Sequence, residues 1–465
     1  MTATARIPAA PPRSGIPGPP GNPLLGMARP LRSDLLGTLQ TGFARYGDVV
    51  AYRIGPVRGP RRLRPLLVAV RHPDDLRRVM LETDVFVRRT PSHDVVRELF
   101  GETIVTMEGE RWRRHKRILQ PIFTRRHIAQ YAGLLETEAD RVAERWRDLG
   151  GREVDIVQTM EEHALRVLGQ TIFAQADLID VVTAGALERL VPRLGEQVAE
   201  RVMQALRPPL YLRTPRNQRF RALRAELRET IERVLRRREQ DGRGDADAGD
   251  LLSCLREARD PEGGASLTPR EVRDAALMFM LAGYTTTADV LISALHLLGR
   301  HPDVQERVAT SAHGPAGGDA DLVRATVQEA MRLYPPSFAL GRRAAVDTEL
   351  GGHAVAAGSL VLVVPWATHR DPRFWAAPER FDPLRFVGAH DRPPFAYMPF
   401  GGGGRACIGR HLAMLESTTM VRALLRRYRV ESLDATLPLS QLMSMRPSGP
   451  VRVRFHLREP AEAAA

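Results

Sequence analysis

The sequence predicts a mainly α-helical protein with a minor β portion. Amphipathic helical stretches dominate from about residue 74 to residue 334. Short β-type runs stand on either side of them, near the N-terminus and near the C-terminus. One helical stretch is apolar nearly all round, which is typical of a helix buried at the centre of a fold.

The chain begins with a segment rich in Pro, Ala and Gly, residues 1–25, which we expect to be a flexible tail. Residues 26–465 are expected to form a single domain. Within it, the runs VVAYRIG and LLVAV, between Asp48 and Val70, are broken by Gly and Pro and predict a small sheet.

The long helix is predicted to begin at a capping box of Thr268 and Glu271, with Pro269 at the first helical position. It is predicted to end near Gly299 and Pro302. About thirty residues at 1.5 Å each run roughly 45 Å, enough to cross the molecule. Its middle, LMFMLAGYTTTADVLI, predicts a central and buried helix.

A further helix is predicted from about Leu322 to Leu333, because Pro335 and Pro336 follow it and proline ends a helix at or before the preceding residue. After it the chain returns to β character. Strands are predicted at SLVLVV, residues 359–364, and at VRVRFHL, residues 451–457.

Composition narrows the class of protein. Hydrophobic residues make up 43% and charged residues 26% of the 465 residues, as in ordinary globular proteins. The net charge is +13, and Lys116 is the only lysine, so the positive charge is almost all arginine. Such a balance suits nucleic acid, an anionic membrane or an acidic protein partner. The arginines are spread along the chain, which favours an acidic partner over nucleic acid.

Cysteine content and hydropathy indicate a soluble protein of the cytoplasm. Cys254 and Cys407 lie far apart and form no disulfide framework, as expected in a reducing compartment. No apolar run approaches the ~18 residues that span a bilayer, and the N-terminus lacks a signal-peptide pattern. We therefore expect no membrane anchor.

The strongest motif surrounds Cys407. The segment from Phe400 to Gly409 reads FGGGGRACIG and fills the pattern F-x-x-G-x-R-x-C-x-G, with Arg405 at its centre. A helical run, HLAMLESTTMVRALL, follows at once, and a helix N-terminus favours thiolate over thiol. A glycine run alone would more often be a flexible surface loop. The whole pattern instead predicts a cysteine that binds a flat cofactor.

With this motif, the sequence resembles the cytochrome P-450 superfamily from about residue 40 to the C-terminus, in its soluble, bacterial form and of the kind found in actinobacterial secondary metabolism. The resemblance implies the P-450 fold, with the long central helix lying over haem b, iron protoporphyrin IX. It also implies that Cys407 is the iron ligand and that Phe400, Arg405 and Gly409 lie against the cofactor.

Glu329 and Arg332 stand three residues apart on one helix and resemble the family's E-x-x-R motif. An exposed helical salt bridge is the ordinary explanation of this spacing. The motif lies about 75 residues before Cys407, which favours the family role. The family's third charge would be Arg385, in FDPLRF, with Arg380 as the alternative.

The helix GERWRRHKRILQPIF resembles the one that contacts the haem propionates. Trp112 and Lys116 lie four residues apart and so on one face, and both can donate hydrogen bonds to a carboxylate. Arg405 and Arg342 are further propionate candidates, with Arg343 as a rival to Arg342. Three other arginines are expected on a solvated face or at the docking surface of an acidic redox partner: Arg113, Arg114 and Arg117.

On the central helix, the segment AGYTTT, residues 282–287, resembles the family's oxygen-binding groove. There Gly283 would leave room for dioxygen above the iron, and the Thr286 hydroxyl would donate a hydrogen bond to the distal oxygen. Threonines in an apolar helix more often bond back to the i−4 carbonyl. Thr285 stands where the family usually has a carboxylate, and a hydroxyl is no acid near neutral pH.

The resemblance implies a haem-thiolate monooxygenase that oxidises a lipophilic small molecule, terpenoid or polyketide-like, with O2. Electrons would come from a separate ferredoxin and ferredoxin reductase. Thr285 keeps open an atypical oxidation, such as desaturation or oxidative coupling. A non-catalytic haem protein and a basic DNA-binding protein are weaker alternatives. The residues expected to face the substrate are Phe86, Val87, Val95, Phe100, Ile104, Met203, Leu210, Tyr211, Phe338, Ala339 and Leu340.

Overall fold

The computed structural model describes residues 15–55, 66–147, 150–173, 186–202, 208–240, 250–314, 321–388, 390–441 and 444–458. Helix predominates over these residues and the strands form small sheets, so the predicted fold class, mainly α with minor β, is confirmed.

The helices are distributed along the described chain from residue 28 to residue 427. In chain order they are α1 (Ala28–Ser33), α2 (Leu35–Tyr46), α3 (Pro73–Leu81), α4 (Pro91–Phe100), α5 (Gly109–Leu119), α6 (Arg125–Ala129), α7 (Ala132–Arg147), α8 (Ile156–Phe173), α9 (Ala186–Val202), α10 (Pro215–Gln240), α11 (Leu251–Glu257), α12 (Pro269–Arg300), α13 (Pro302–Ala312), α14 (Leu322–Leu333), α15 (Pro365–Thr368) and α16 (Arg410–Arg427).

The strands are short, and all lie outside the helical middle of the chain except β3 and β4. They are β1 (Val49–Arg53), β2 (Leu66–Val70), β3 (Phe86–Val87), β4 (Glu153–Asp155), β5 (Leu340–Ala344), β6 (Thr348–Leu350), β7 (His353–Val355), β8 (Leu360–Val363), β9 (Tyr428–Ser432), β10 (Leu439–Ser440), β11 (Arg446–Pro447) and β12 (Arg452–Leu457).

The largest sheet has the strand order β1-β2-β8-β5-β3. The predicted N-terminal pair, β1 and β2, is antiparallel, and β8 from the C-terminal half joins β2 in parallel. The chain also forms a three-stranded sheet, β4-β12-β9, and two hairpins, β6-β7 and β10-β11. The strands predicted at 359–364 and 451–457 are therefore confirmed as β8 and β12.

Helix α12 is the central element, as predicted. Its capping box is complete: the Thr268 side chain accepts from the Glu271 amide, and the Glu271 carboxylate accepts from the Thr268 amide. The helix packs against α8, α14, α16 and β9 and contributes apolar residues to the main core cluster. The predicted α14 also has the expected bounds, and it ends before Pro335.

By length and composition α12 could cross a membrane, which corrects the expectation that no apolar run approaches that length. However, 72% of its most apolar 18-residue window is buried inside the protein. Such burial is that of a core helix rather than of a helix facing lipid.

The expected flexible tail of residues 1–25 is wrong for its last part. Ile16 is 7% exposed and belongs to a core cluster with Val49, and the Ala51 amide donates to the Pro17 carbonyl at 2.9 Å. Asn22 and Gly26 exchange backbone hydrogen bonds of 2.9 and 2.8 Å. This stretch is thus fixed against β1, and residues 1–14 lie outside the described part of the chain.

Candidate functional site

Cys407 lies between the glycine-rich loop and the first turn of α16. Its amide donates to the Phe400 carbonyl at 2.8 Å, which closes the loop. Gly403 has a φ of +64°, and a Cβ there would lie 2.7 Å from the Met80 carbonyl oxygen. Glycine is therefore required at this position, both for the backbone conformation and for the close approach to α3. At Gly409, the N-cap of α16, a Cβ would meet nothing within 4 Å.

The Cys407 side chain is accessible to solvent, and many protein atoms surround its thiol. Burial raises the pKa of the Cys407 thiol, and the Gly409 amide and Arg410 only partly oppose this shift. The Gly409 amide and Arg410 thus act in the direction expected of a helix N-terminus, but burial has the larger effect. A cation bound at the sulfur would provide the missing stabilisation, because a coordinating thiol is deprotonated outright.

A cationic cluster adjoins the Cys407 loop. The Arg405 guanidinium lies 3.9 Å from the centroid of the Trp112 ring, and Lys116 Nζ lies 5.5 Å from it. Arg405 also donates to Glu108 Oε2 at 2.9 Å and to the Met107 carbonyl at 2.9 Å. The structure thus brings together three of the predicted propionate contacts.

Arg88 belongs to the same cluster and was missed by the sequence reasoning. Its amide donates to Glu108 Oε1 at 2.8 Å and its Nη2 to the Arg405 carbonyl at 3.1 Å, while its Nε has no partner among the described residues. Burial and the neighbouring Arg342 lower the pKa of Arg88 well below its usual range. The sequence offered one indication of this role, since the charged Arg88 directly follows the apolar pair Phe86–Val87 of β3.

Arg342, rather than its rival Arg343, points into this cluster. Arg342 is 3% exposed, and burial and then the charge of Arg405 lower its pKa to about 10. Arg343 instead donates to the carbonyls of Arg89 and Gly358 at the outer side of β5. Side chains alternate between the two faces of a strand, which explains why neighbours differ.

The residues present fit a haem. The cluster contains three guanidiniums but only one carboxylate, that of Glu108; the guanidiniums are those of Arg88, Arg342 and Arg405. Among the described residues, Arg342 has no acidic partner. Buried charges of this kind need counter-charges. Haem carries two propionates, which match the excess of two positive charges, and Cys407 supplies a sulfur ligand.

The E-x-x-R network is buried and complete. Arg332 Nε donates to Glu329 Oε2 at 2.7 Å and Nη2 to Oε1 at 2.8 Å, with both side chains 0% exposed. Arg385 Nε donates to Glu329 Oε1 at 3.1 Å. Arg385 is therefore the third charge, and Arg380 contributes only its carbonyl oxygen.

This network anchors the segment that leads to Cys407. Arg332 Nη1 donates to the carbonyl of His369 at 2.7 Å, and the His369 ring in turn accepts from the Met398 amide at 3.0 Å. Tyr397 donates to the Gln328 carbonyl at 2.8 Å. The chain just before the glycine-rich loop is thus tied to α14 from both sides.

Within the AGYTTT segment of α12, some residues are accessible to solvent although their neighbours are buried. Ala282 is exposed and Thr286 is partly exposed, although Leu281 and Tyr284 beside them are buried. The Thr286 hydroxyl donates to the Ala282 carbonyl at 2.7 Å, the i−4 bond expected of threonine in a helix. Its oxygen keeps lone pairs that can accept from a proton donor in the cleft.

Gly283 faces α8. A Cβ there would lie 2.9 Å from Cδ2 of Leu168, on that helix. The glycine therefore permits the close packing of α12 against α8.

The residues expected to face substrate are spread over several environments. Val95 and Phe100 belong to the main core cluster and the partly buried Ile104 packs against it, whereas Phe338 packs with Leu36 in a separate cluster. Tyr211 is 78% exposed and lies at the surface, contrary to the expectation. Met203 lies outside the described residues.

The three arginines expected on a solvated face or at a docking surface already have acidic partners. Arg113 bonds Glu110, Arg114 lies 3.6 Å from Glu271, and Arg117 bonds Asp260 at 3.0 Å. A different set is free of acidic partners in the described chain and surrounds His411 on the helix after Cys407: Arg125, Arg324 and Arg410. We call these three exposed residues the His411 patch.

Comparison with known proteins places these features in one family. A family model described as cytochrome P-450 matches residues 16–455. The chain is 34% identical over 402 residues, 84% of each chain, to a cyclooctat-9-en-7-ol 5-monooxygenase of Streptomyces melanosporofaciens. It is 29% identical over 457 residues, 94% of this chain and 95% of the relative, to a pentalenene oxygenase of Streptomyces avermitilis.

A cyclooctatin synthase of Streptomyces melanosporofaciens is also similar, at 29% identity over 446 residues and 94% of each chain. Family, fold and the implied haem cofactor agree with the cationic cluster beside Cys407. The chain belongs to the cytochrome P-450 family and is a haem-dependent monooxygenase.

Proposed function

We propose that this protein inserts oxygen into a cyclic terpenoid, with Cys407 as the haem ligand. The observation that carries the assignment of the site is the excess of buried guanidiniums beside a single thiol. The substrate class is supported by the relatives, since cyclooctat-9-en-7-ol and pentalenene appear in their names.

Bound haem supplies the activation of dioxygen for this reaction. The protein's own residues hold and orient it: Arg342, Arg405, Trp112 and Lys116 bind the propionates, and Arg88 adds a fifth contact. Burial makes these bonds strong, because a guanidinium in a low-dielectric setting interacts more strongly with an anion than it does in water.

We place the substrate in a cleft between α12 and the loop that carries Cys407, because Ala282 and Cys407 are both exposed to solvent although residues beside them are buried. Phe400 and Gly409 frame the sulfur from the two ends of the glycine-rich loop. Thr286 lies on a partly exposed part of α12, and its hydroxyl is held there by the bond to the Ala282 carbonyl. Ala282, Ile408 and other apolar side chains stand near these groups, which suits a terpenoid that carries few polar groups.

Electrons are proposed to come from a ferredoxin, reduced by its own reductase, in the cytoplasm. The His411 patch supports this, because its three exposed arginines stand on α6, α14 and α16 near the Cys407 loop. An acidic ferredoxin would be attracted to such a patch, and its association would weaken with rising salt.

The test is product analysis with the holoprotein, NADH, a ferredoxin and a ferredoxin reductase, using cyclooctat-9-en-7-ol and pentalenene as probes under oxygen-18 gas. We expect a product that contains one labelled oxygen atom. NADH consumption without any terpenoid product from either probe would contradict the proposed substrate class.

A second reaction, desaturation or oxidative coupling on the same site, is favoured by one observation. Thr285 provides no acid at the position where the family usually has one, which disfavours rapid proton delivery. The same experiment separates the two reactions: a desaturated product has lost two hydrogen atoms and carries no label.

A further inference from the structure

A polar seam runs along one side of the otherwise apolar helix α12. It consists of Thr285, Thr286, Asp289 and Ser293, which fall within an arc of about 100° at 3.6 residues per turn. Two of its hydroxyls bond back to the helix, Thr286 to the Ala282 carbonyl and Ser293 to the Asp289 carbonyl, both at 2.7 Å. The side chain of Asp289 is the one ionisable group in the seam.

Asp289 is buried, and its surroundings favour the neutral carboxyl. It is 2% exposed, and its Oδ2 has no hydrogen-bond partner among the described residues. The Ser444 hydroxyl lies within hydrogen-bonding reach of its carboxyl. A carboxylate without compensating bonds is costly in such a place, and burial raises the pKa of Asp289 well above its usual range.

Two charged groups of opposite sign lie near Asp289, and their effects on its pKa oppose each other. Arg446 of β11 and Glu161 of α8 are the charged groups that act on it, in opposite directions. The Arg446 guanidinium bonds the Glu161 carboxylate, and the Tyr284 hydroxyl donates to Glu161 Oε2 at 3.0 Å. Because Glu161 neutralises Arg446, the guanidinium does not by itself favour the ionised form of Asp289. A transient carboxylate at Asp289 would nevertheless have a cation nearby.

Asp289 also stands next to the two threonines of the oxygen groove. It is three residues after Thr286 and four after Thr285, spacings that place side chains about 5–6 Å apart on a helix surface. A separation of that size can be spanned by one water molecule or by the threonine hydroxyls themselves. The seam therefore contains an acid, one turn beyond the position at which Thr285 offers only a hydroxyl.

We propose that Asp289 is the proton-holding residue of this cleft and acts through the hydroxyls of Thr285 and Thr286. The inference rests on the proposed monooxygenation, in which one O2, two electrons and two protons give one oxygen atom in the product and one in water. In each proton transfer, the carboxylic O–H bond of Asp289 breaks and a threonine hydroxyl or bridging water gains that proton as it releases its own toward the cleft. The resulting carboxylate takes a proton back from water. Asp289 is thus a positioning residue that acts through the threonines.

The experiment compares wild type with Asp289→Asn, which keeps the shape and removes the proton. Product and hydrogen peroxide are measured per NADH consumed, with a ferredoxin pair and pentalenene or cyclooctat-9-en-7-ol. We expect product per NADH to fall roughly tenfold or more, with peroxide rising in its place. When hydrogen peroxide replaces O2 and NADH, it brings its own protons, so the variant should match wild type within about twofold.

Two further variants distinguish proton holding from a structural role. Asp289→Glu restores the acid and should recover much of the product yield. Asp274→Asn changes another buried aspartate of α12, about four turns away, and should leave the yield unchanged. Infrared difference spectra, wild type minus variant and without substrate, supply an independent readout. The band of a protonated carboxyl should appear for Asp289→Asn and not for Asp274→Asn, because the buried Glu416 contributes equally to both proteins and cancels.

Wild-type product yield in Asp289→Asn, or the absence of its carboxyl band from the wild-type difference spectrum, would overturn the proposal. Equal losses in the O2-driven and peroxide-driven reactions would also overturn it, since they indicate a structural defect. Failure of the proposed function has a different signature: wild type then forms no terpenoid product with either oxidant, while the infrared band still reports the protonation of Asp289.

Discussion

Replacing Glu329 by glutamine should destabilise the protein strongly although it changes only one side-chain atom. The two carboxylate oxygens accept four hydrogen bonds: from Arg332 Nε and Nη2, from Arg385 Nε, and from the Asp382 amide at 3.0 Å. A glutamine oxygen retains about two of these, and its NH2 group faces guanidinium donors. With Arg332 at 0% and Arg385 at 9% side-chain exposure, two buried positive charges lose their only counter-charge in the described network.

The expected cost follows from the bonds that are lost. Two hydrogen bonds between charged groups, at about 1.5–3 kcal/mol each, give about 3–6 kcal/mol. This agrees with the roughly 3–5 kcal/mol found when one partner of a buried ion pair is removed. Because Arg332 also holds the His369 carbonyl, the segment before Cys407 should loosen, and the variant should retain less haem.

The assay is urea unfolding followed by circular dichroism, with haem content measured on the same samples. The matched control is Glu229→Gln, since Glu229 forms an exposed i,i+4 pair with Arg233 that is worth about 0.2–1 kcal/mol at most. A Glu329→Gln variant within about 1 kcal/mol of wild type and with full haem content would refute the account of this network.

Three further results are expected. His369→Gln should reduce the loss of unfolding free energy at acidic pH. Burial lowers the pKa of His369 to about 3, so between pH ~6.5 and that value the unfolded state takes up a proton at this residue and the folded state does not. Wild type therefore loses up to about 1.4 kcal/mol of unfolding free energy per pH unit from this group as the pH falls. Thermal unfolding at pH 7, 6 and 5 measures this, and equal slopes for both proteins would contradict it. Gly283→Ala should lower the free energy of unfolding in urea by about 1 kcal/mol, because crowding against Leu168 outweighs the gain in helix propensity. An unchanged or raised free energy of unfolding would count against that contact. Arg342→Ala should weaken haem retention about tenfold or more in a transfer assay to apomyoglobin, whereas Arg343→Ala, on the outer face of β5, should not, and equal effects would exclude the assignment.

The sequence predicted those features that depend on local patterns. The capping box of Thr268 and Glu271 needs only four consecutive residues, and the loop around Cys407 only ten. The E-x-x-R pair also lies within one helical turn, so its geometry follows from helix periodicity alone. Arg385 was found because the short motif around it resembles that of the family.

Features that depend on distant contacts were missed or misjudged. Arg88 gains its role from the Arg405 carbonyl, 317 residues away, and no local pattern reveals that contact. The direction in which Gly283 faces depends on how α8 packs against α12, which periodicity does not determine. The thiol of Cys407 was expected to ionise from its place before a helix, but burial, which the sequence does not give, has the larger effect.

Asp289 illustrates the same limit. In sequence it is one polar residue in an apolar helix, and its significance comes from burial among α8 and β11. Likewise, Arg113 and Arg117 were expected to carry free positive charge, yet their acidic partners lie in space beside them. Charge counts along a chain do not show which charges are already neutralised in the fold.

The most direct test of the central claim is the absorption spectrum of the reduced, carbon-monoxide-bound protein, recorded for wild type and for Cys407→Ser. The strongly red-shifted Soret band of thiolate-ligated haem should be present in wild type and absent from the variant. A wild-type protein that is folded and loaded with haem but lacks this band, or a Cys407→Ser variant that keeps it, would contradict the assignment of Cys407 as the iron ligand.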